Sequence, residues 1–353
     1  MGITIPLTHP YVGDAEIAAV VRVMRSGHLV QGAQVAAFED EFTAVVGKRT
    51  CVAVSSGTSA LHLALLACGI GPGDEVIVPS FTFGATAHAV VHAGATPVFA
   101  DIAPETLTLD PDAVSAAITT RTAAIVPVHL FGHPAAMDRL VALAARHHLA
   151  LVEDAAQAAG AALDGTPIGS FGHAAAFSFY PTKNMHSIEG GMVATSDIQT
   201  AQRLRLLRNQ GLSGRYEYEV VGYNARMTDV AAAVGRTQLA SLAWWTARRR
   251  ANAAYLDDHL QGVATPTVAP GADPVYHQYV VRADNRDLLR ERLASVGIQT
   301  GVHYPLPVHR SHAYARPYEL PHTERAATEV LSLPVHPHLT TTELAYLAEQ
   351  VNT

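Results

Sequence analysis

Lysine is almost absent from this chain of 353 residues: only Lys48 and Lys183 occur among its 24 basic side chains, and arginine supplies the rest. Arginine can replace lysine in most ion pairs, but its guanidinium stays protonated and cannot condense with an aldehyde, whereas a lysine amine can lose its proton and do so. A lysine kept against such a background is a candidate for covalent chemistry; an ordinary surface lysine is the competing reading, and Lys48, in the polar turn Gly47-Lys48-Arg49-Thr50, fits it. Cysteine is equally scarce. Cys51 and Cys68 each lie inside an apolar run, which excludes a disulfide framework and suits reduced core thiols. No apolar run approaches the ~18 residues of a membrane span. The start shows no charged-then-apolar leader, and Pro6 stands where a myristoylation signal after Met1-Gly2 needs a hydroxyl, so a cytoplasmic, unanchored protein is expected. Charged residues are only 16% and the net charge is −7. The one basic run, Arg248-Arg249-Arg250, lies in a helix-like stretch and reads as a solvated face, so nucleic acid is not an expected partner.

What is present is an ordinary globular composition, 49% hydrophobic, without repeats or low-complexity tracts, and long enough to bury a site completely. Between residues 50 and 200, short β-branched runs alternate with longer helical patterns. The spacing predicts strands over 51–54, 75–78, 96–100, 123–128, 149–153, 174–179 and 191–195, and helices over 59–67, 85–92 and 135–147. Such alternation predicts an α/β fold, a mainly parallel sheet sandwiched by helices. A long Ala-rich helix is expected over 228–260. Beyond it, Pro266, Pro270, Gly271 and Pro274 break the pattern, and the remainder reads as a smaller C-terminal α+β domain. The boundary is set near residue 240, giving a large domain 1–240 and a small one 241–353.

Ligands collect at the carboxyl edge of such sheets, and the chemistry-bearing residues fall there. Ser55-Ser56-Gly57-Thr58-Ser59-Ala60-Leu61 is a strand, a small-residue turn and a helix start, able to hold a phosphate at the positive end of the helix dipole or to serve as a simple N-cap. It is no Walker loop, and no Gly-x-Gly-x-x-Gly follows a strand. Asp154 ends an apolar strand, where a carboxylate is costly unless it meets a cation or donor; a protonated pyridine nitrogen or a salt bridge would satisfy it. Phe81 and Phe83 are core residues, or one of them covers a planar cofactor. Lys183 follows the sixth strand. Phosphate cup, aromatic cover, ring-nitrogen carboxylate and aldehyde-binding lysine together describe a pyridoxal phosphate site.

Nearly end to end, the chain resembles the DegT/DnrJ/EryC1/StrS family of pyridoxal phosphate-dependent sugar aminotransferases, which have the aspartate aminotransferase fold, type I. The resemblance rests on Ser26-Gly27 with Gly32, on Ser56-Gly57-Thr58-Ser59-Ala60-Leu61, on Gly73-Asp74-Glu75-Val76-Ile77-Val78-Pro79 and on Phe83-Gly84-Ala85-Thr86. It continues through Glu153-Asp154-Ala155-Ala156-Gln157, Ser178-Phe179 with Lys183-Asn184, Glu189-Gly190-Gly191, Gly222-Tyr223-Asn224-Ala225-Arg226-Met227-Thr228, Val302-His303-Tyr304 and Leu333-Pro334.

The resemblance implies that Lys183 is the Schiff-base lysine, Asp154 the partner of the ring nitrogen and Phe83 the stacking ring. Thr58, Ser59 and Ser178 would bind phosphate, with Gly57 allowing close approach and Gln157 near the ring hydroxyl. Asn224 would reach the phosphate of a neighbouring subunit's cofactor, making a homodimer with shared active sites. One branch of the family carries histidine in place of the lysine and performs dehydration, which Lys183 argues against. Glutamate as donor and a nucleotide-linked keto-deoxyhexose as acceptor, in ping-pong order, are the implied substrates; a keto-cyclitol or another specialised-metabolite ketone is the alternative, and a regulatory member without turnover a third. His303, Tyr304 and His309 are expected to line the substrate cleft rather than to bind metal, since no cysteine or carboxylate ligand accompanies them. The stretches 30–33, 185–189 and 303–312 face substrate and vary within such families.

Overall fold

The computed structural model describes residues 3–314 and 317–353; the Met1-Gly2 start lies outside them. Two helices not read from the sequence, α1 (Asp14–Ser26) and α2 (Ala33–Phe42), precede the sheet. The sheet strands are β1 (Thr50–Val54), β2 (Glu75–Pro79), β3 (Thr96–Ala100), β4 (Thr122–Ile125) and β5 (Ala150–Asp154). After the small hairpin β6 (Ala162–Leu163) and β7 (Thr166–Pro167), β8 (Ala174–Ser178) and β9 (Gly191–Thr195) complete it. Their order is β1-β9-β8-β5-β4-β2-β3, and only β9 runs against the others. All seven expected strands are present. The fourth ends three residues early because Pro127 has no N–H to continue the ladder; there Pro127 instead accepts from the Asp154 N–H at 2.8 Å.

Burial on both faces explains the unbroken apolar character of these strands. Ala53, Ile77, Ile125, Leu151 and Phe177 point to one face, under α2, α6 (Met137–His147) and α8 (Asp229–His259). The alternate residues Val52, Val78, Val126, Val152 and Ala176 point to the other, under α3 (Gly57–Ala67), α4 (Ala85–His92) and α7 (Ile198–Arg208). The short helix α5 (Pro111–Ala117) and the hairpin β10 (Leu212–Gly214) with β11 (Glu217–Tyr218) fill the connections.

Helix α8 runs unbroken through the boundary expected at residue 240. Its first half supplies Ala231, Ala232 and Leu242 to the core under the sheet. Its second half supplies Ala253 and Leu256 to a separate core built with Tyr279, Val281, Leu331, Leu333 and Leu347. That second core belongs to β13 (Tyr279–Arg282) paired antiparallel with β14 (Val330–Leu333), and to α9 (Arg286–Ser295) and α11 (Thr341–Asn352); α10 (Pro321–Glu329) packs Ala326 and Ala327 with Phe81, Ile102 and Val280 instead, and β12 (Ala272–Asp273) joins the hairpin of β6. We place the division between the two bodies within α8. The expectation of a solvated arginine run is corrected: Arg249 is buried, and Arg248 and Arg250 donate to the carbonyls of Leu339 and Pro274, so the run ties α8 to the C-terminal part. No helix among the described residues is long and apolar enough to cross a membrane.

Candidate active site

A cavity of ≈ 420 Å³ opens at the carboxyl edge of the sheet, at the ends of β8 and β5 and of β1, which β9 separates from β8. Its volume is within the range of small-molecule sites. At one end, β1 turns into α3 through Ser56, whose hydroxyl caps the helix by accepting from the Ser59 N–H at 3.1 Å. Ser56, Gly57 and Thr58 line the cavity, so the positive end of α3 faces into it. Only glycine fits at Gly57: a Cβ there would lie 2.7 Å from the Cβ of Ser178, which reaches the same wall from β8. Gly191 is similarly required, since a Cβ would sit 2.3 Å from the carbonyl oxygen of Ser56.

Asp154 ends β5 at the cavity and is buried. It accepts from the Thr86 hydroxyl at 2.8 Å and from the Ala156 N–H at 3.2 Å. Burial holds its carboxyl above the ordinary range, against the opposing pull of these donors and of the Lys183 charge. Its neighbour Glu153 has a different task. Strand alternation turns Glu153 to the interior, where it accepts from the Gly169, Phe171 and Gly172 N–H groups at 2.8 to 2.9 Å and from His129 Nε2 at 3.2 Å. Burial alone would raise its pKa, but these donors bring it below the usual value, so the carboxylate pins the loop beneath the site.

Lys183 follows β8 in a turn closed by its own N–H to the Tyr180 carbonyl at 2.9 Å. It lines the cavity with Asp154. Burial lowers its pKa to about 8, and the Asp154 charge opposes the fall. Phe83 lies on the wall, 62% exposed, whereas Phe81 is fully buried core; only Phe83 offers a ring face to a ligand. Gln157 accepts from the Phe131 N–H at 2.6 Å and donates to the Tyr304 hydroxyl at 3.1 Å, Gln157 and Tyr304 both being on the wall.

His303 and Tyr304 line the cavity as expected. His303 is held below its ordinary pKa by burial and by Lys183, and bonds Ser332 through Nδ1 at 2.9 Å. His309 does not fit the expectation: it is fully buried outside the cavity wall, its ring spent on Ser80 Oγ at 2.6 Å and Glu324 at 3.2 Å. Ser59 likewise spends its hydroxyl on Ser55 and Ser56, at 3.1 and 3.0 Å, and is not on the wall. Asn224 is exposed and does not line this chain's cavity. Sequence reasoning missed Thr86, Tyr180, His277 and Gln278, all of which line the cavity, as does Glu189 at the end of the stretch 185–189 expected to face substrate. Thr86 stood within a matching segment without a role; for His277 no motif gave a signal.

The residues present fit pyridoxal phosphate: a helix start and hydroxyls at one end, an acid at the strand end, an aromatic face, and an amine whose pKa is brought near neutrality. The chain is 50% identical over 326 residues to the erythromycin biosynthesis sensory transduction protein EryC1 of Saccharopolyspora erythraea, covering 90% of this chain and 89% of that protein. It is also 50% identical over 330 residues to the dTDP-3-amino-3,4,6-trideoxy-alpha-D-glucose transaminase of Streptomyces venezuelae, covering 91% and 87%. The crystal structure of S. venezuelae DesV in complex with a ketimine intermediate superposes with a TM-score of 0.93 at 48% identity, over 96% of this chain and 93% of that one. Aminotransferases of this kind are pyridoxal phosphate enzymes, and solved neighbours carry the cofactor in its pyridoxal and pyridoxamine forms. The family model matches residues 10–352, and the chain belongs to the DegT/DnrJ/EryC1/StrS aminotransferase family.

Proposed function

We propose that this aminotransferase moves nitrogen from glutamate to a nucleotide-linked keto-deoxyhexose in ping-pong order. The observation that carries the reading is Lys183 and Asp154 on the wall of one cavity, in a chain half identical to a dTDP-aminosugar transaminase. Bound there, pyridoxal phosphate supplies the electron sink that lets a carbon–hydrogen bond next to nitrogen ionise. Asp154 holds the proton on the ring nitrogen. Thr58, Ser178 and the first N–H groups of α3 hold the phosphate, and Phe83 covers one ring face. Lys183, when free, carries the proton between the substrate carbon and C4′ of the cofactor. His303, Tyr304 and Gln157 orient the acceptor. Donor and acceptor share one cavity, so the first product leaves before the second substrate binds.

Asn224 acts on the cofactor phosphate of a second copy in this reading. Supporting it, α1 leaves Ile17, Val21 and Met24 exposed at helical spacing, and Tyr216, Tyr218 and Val221 are exposed shortly before Asn224. A dimer interface would cover such surfaces.

A panel of 3-keto and 4-keto-6-deoxyhexose nucleotides and free keto-cyclitols, each with glutamate, tests the acceptor by mass spectrometry of the amine product. Amination of a sugar nucleotide is expected; turnover of a cyclitol alone would replace the sugar reading. The name of EryC1 raises a second reading, a regulator without turnover. Formation of 2-oxoglutarate from glutamate by the purified protein would exclude it.

A further inference from the structure

His277 is buried on the cavity wall beside Lys183, at the start of the segment leading into β13, and its chemistry can be read atom by atom. The Asn184 amide nitrogen donates to the Val275 carbonyl at 2.9 Å. A carbonyl can only accept, so the orientation of the Asn184 amide is settled and its oxygen faces His277 Nδ1, 3.2 Å away. That oxygen can only accept in turn, so Nδ1 carries the ring proton. The backbone is pinned as well, because Arg249 Nη1 donates to the carbonyls of Tyr276 and His277. Burial, with Lys183, Arg249 and His303 nearby, keeps the ring neutral, well below the ordinary histidine range. Nε2 is therefore a bare lone pair, and among the described residues it has no hydrogen-bond partner. A fixed acceptor on the wall that Lys183 shares calls for a donor.

We propose that His277 Nε2 is the acceptor for the Lys183 amine whenever that amine is not bound to the cofactor, making His277 a positioning residue for proton transfer. The inference rests on the reading of Lys183 as the proton carrier. Lys183 and His277 are already linked through the chain, since Asn184 adjoins the first and bonds the second. Asp154 draws the ammonium toward the ring-nitrogen end of the cavity, and His277 gives it a second, neutral partner. Arg249 and His303 are the other groups whose charges act on the His277 ring; Tyr304, Tyr180 and the Glu189 carboxylate also line the cavity.

The test uses protein loaded with pyridoxamine phosphate, in which Lys183 is free. Trace acetylation with acetic anhydride across a pH series, read by peptide mass spectrometry, reports both lysines at once, with Lys48 as the internal reference. In the wild type, Lys183 should titrate near 8. Losing an acceptor for the ammonium should move that midpoint down by roughly one pH unit in His277→Leu, while His277→Gln, which can present an oxygen, should hold it near the wild-type value. A His277→Leu midpoint equal to wild type overturns the proposal. Should that variant not fold, the crystal structure of the loaded wild type decides: Nζ at about 2.7–3.2 Å from Nε2 supports the proposal, and Nε2 bonded to water or to another group overturns it. Neither readout needs turnover, so a chain that aminates no sugar can still pass or fail here.

Discussion

Thr86 Oγ1 donates a 2.8 Å hydrogen bond to Oδ2 of Asp154, joining the start of α4 to the end of β5 where both side chains are buried. The threonine is thus the side-chain donor that opposes the desolvation of the carboxylate.

Thr86→Val keeps the shape and removes the donor. A hydrogen bond to a charged group contributes about 1.5–3 kcal/mol, so turnover should fall roughly 10- to 100-fold. The sign of the pH effect follows from the cause: without Thr86, Asp154 is harder to ionise, and the acid limb of the rate profile moves to higher pH. Unchanged kcat and an unchanged profile would reduce Thr86 to packing.

Lys183→Arg keeps the charge and loses the amine. Borohydride treatment of the wild type with pyridoxal phosphate should add the cofactor's mass to one peptide, the one containing Lys183, and to none in the variant. Turnover should drop by at least about 10²–10⁴-fold, the worth of a positioned acid–base group. Label on Lys48 would refute the assignment.

Burial places the free Lys183 amine near 8, and only its neutral form accepts a proton. The half-reaction that returns the pyridoxamine form to the pyridoxal form should therefore quicken as pH rises and level off above about 8. Single-turnover absorbance against pH measures this; a rate flat from pH 6 to 9 would show that another group carries the proton.

Subunit exchange tests the proposal that two copies share each site. Lys183→Ala and Asn224→Ala homodimers should each be impaired, the first almost completely. In a mixed dimer one site holds both defects and the other holds neither, so activity should approach one wild-type site per dimer. Verified exchange without a gain over the Asn224→Ala parent would place Asn224 outside the partner's site.

Much of the fold was legible because it rests on local periodicity: strands buried on both faces read as apolar runs, β5 and β8 end at polar residues where the runs stop, and Ser55 follows β1 directly. Lys183 stood out for a chemical reason, since arginine cannot do what its amine does. The first two helices lie ahead of that alternation, and composition cannot show which carbonyls lie within reach of the arginine run.

What the sequence by itself determined was the fold class; it also singled out Lys183, Asp154, Gly57 and Phe83 as candidates, each tied to a residue type that the chemistry or the backbone demands, and all four line the cavity at the carboxyl edge. Tertiary structure alone decided the rest. Thr86 and His277 matter through partners 68 and 93 residues distant, Asp154 and Asn184. His309 and Ser59 were drawn away by neighbours that took their polar atoms. Hydrogen-bond partners and burial are properties of the packed chain, and no spacing along the sequence encodes which donor reaches an acceptor first.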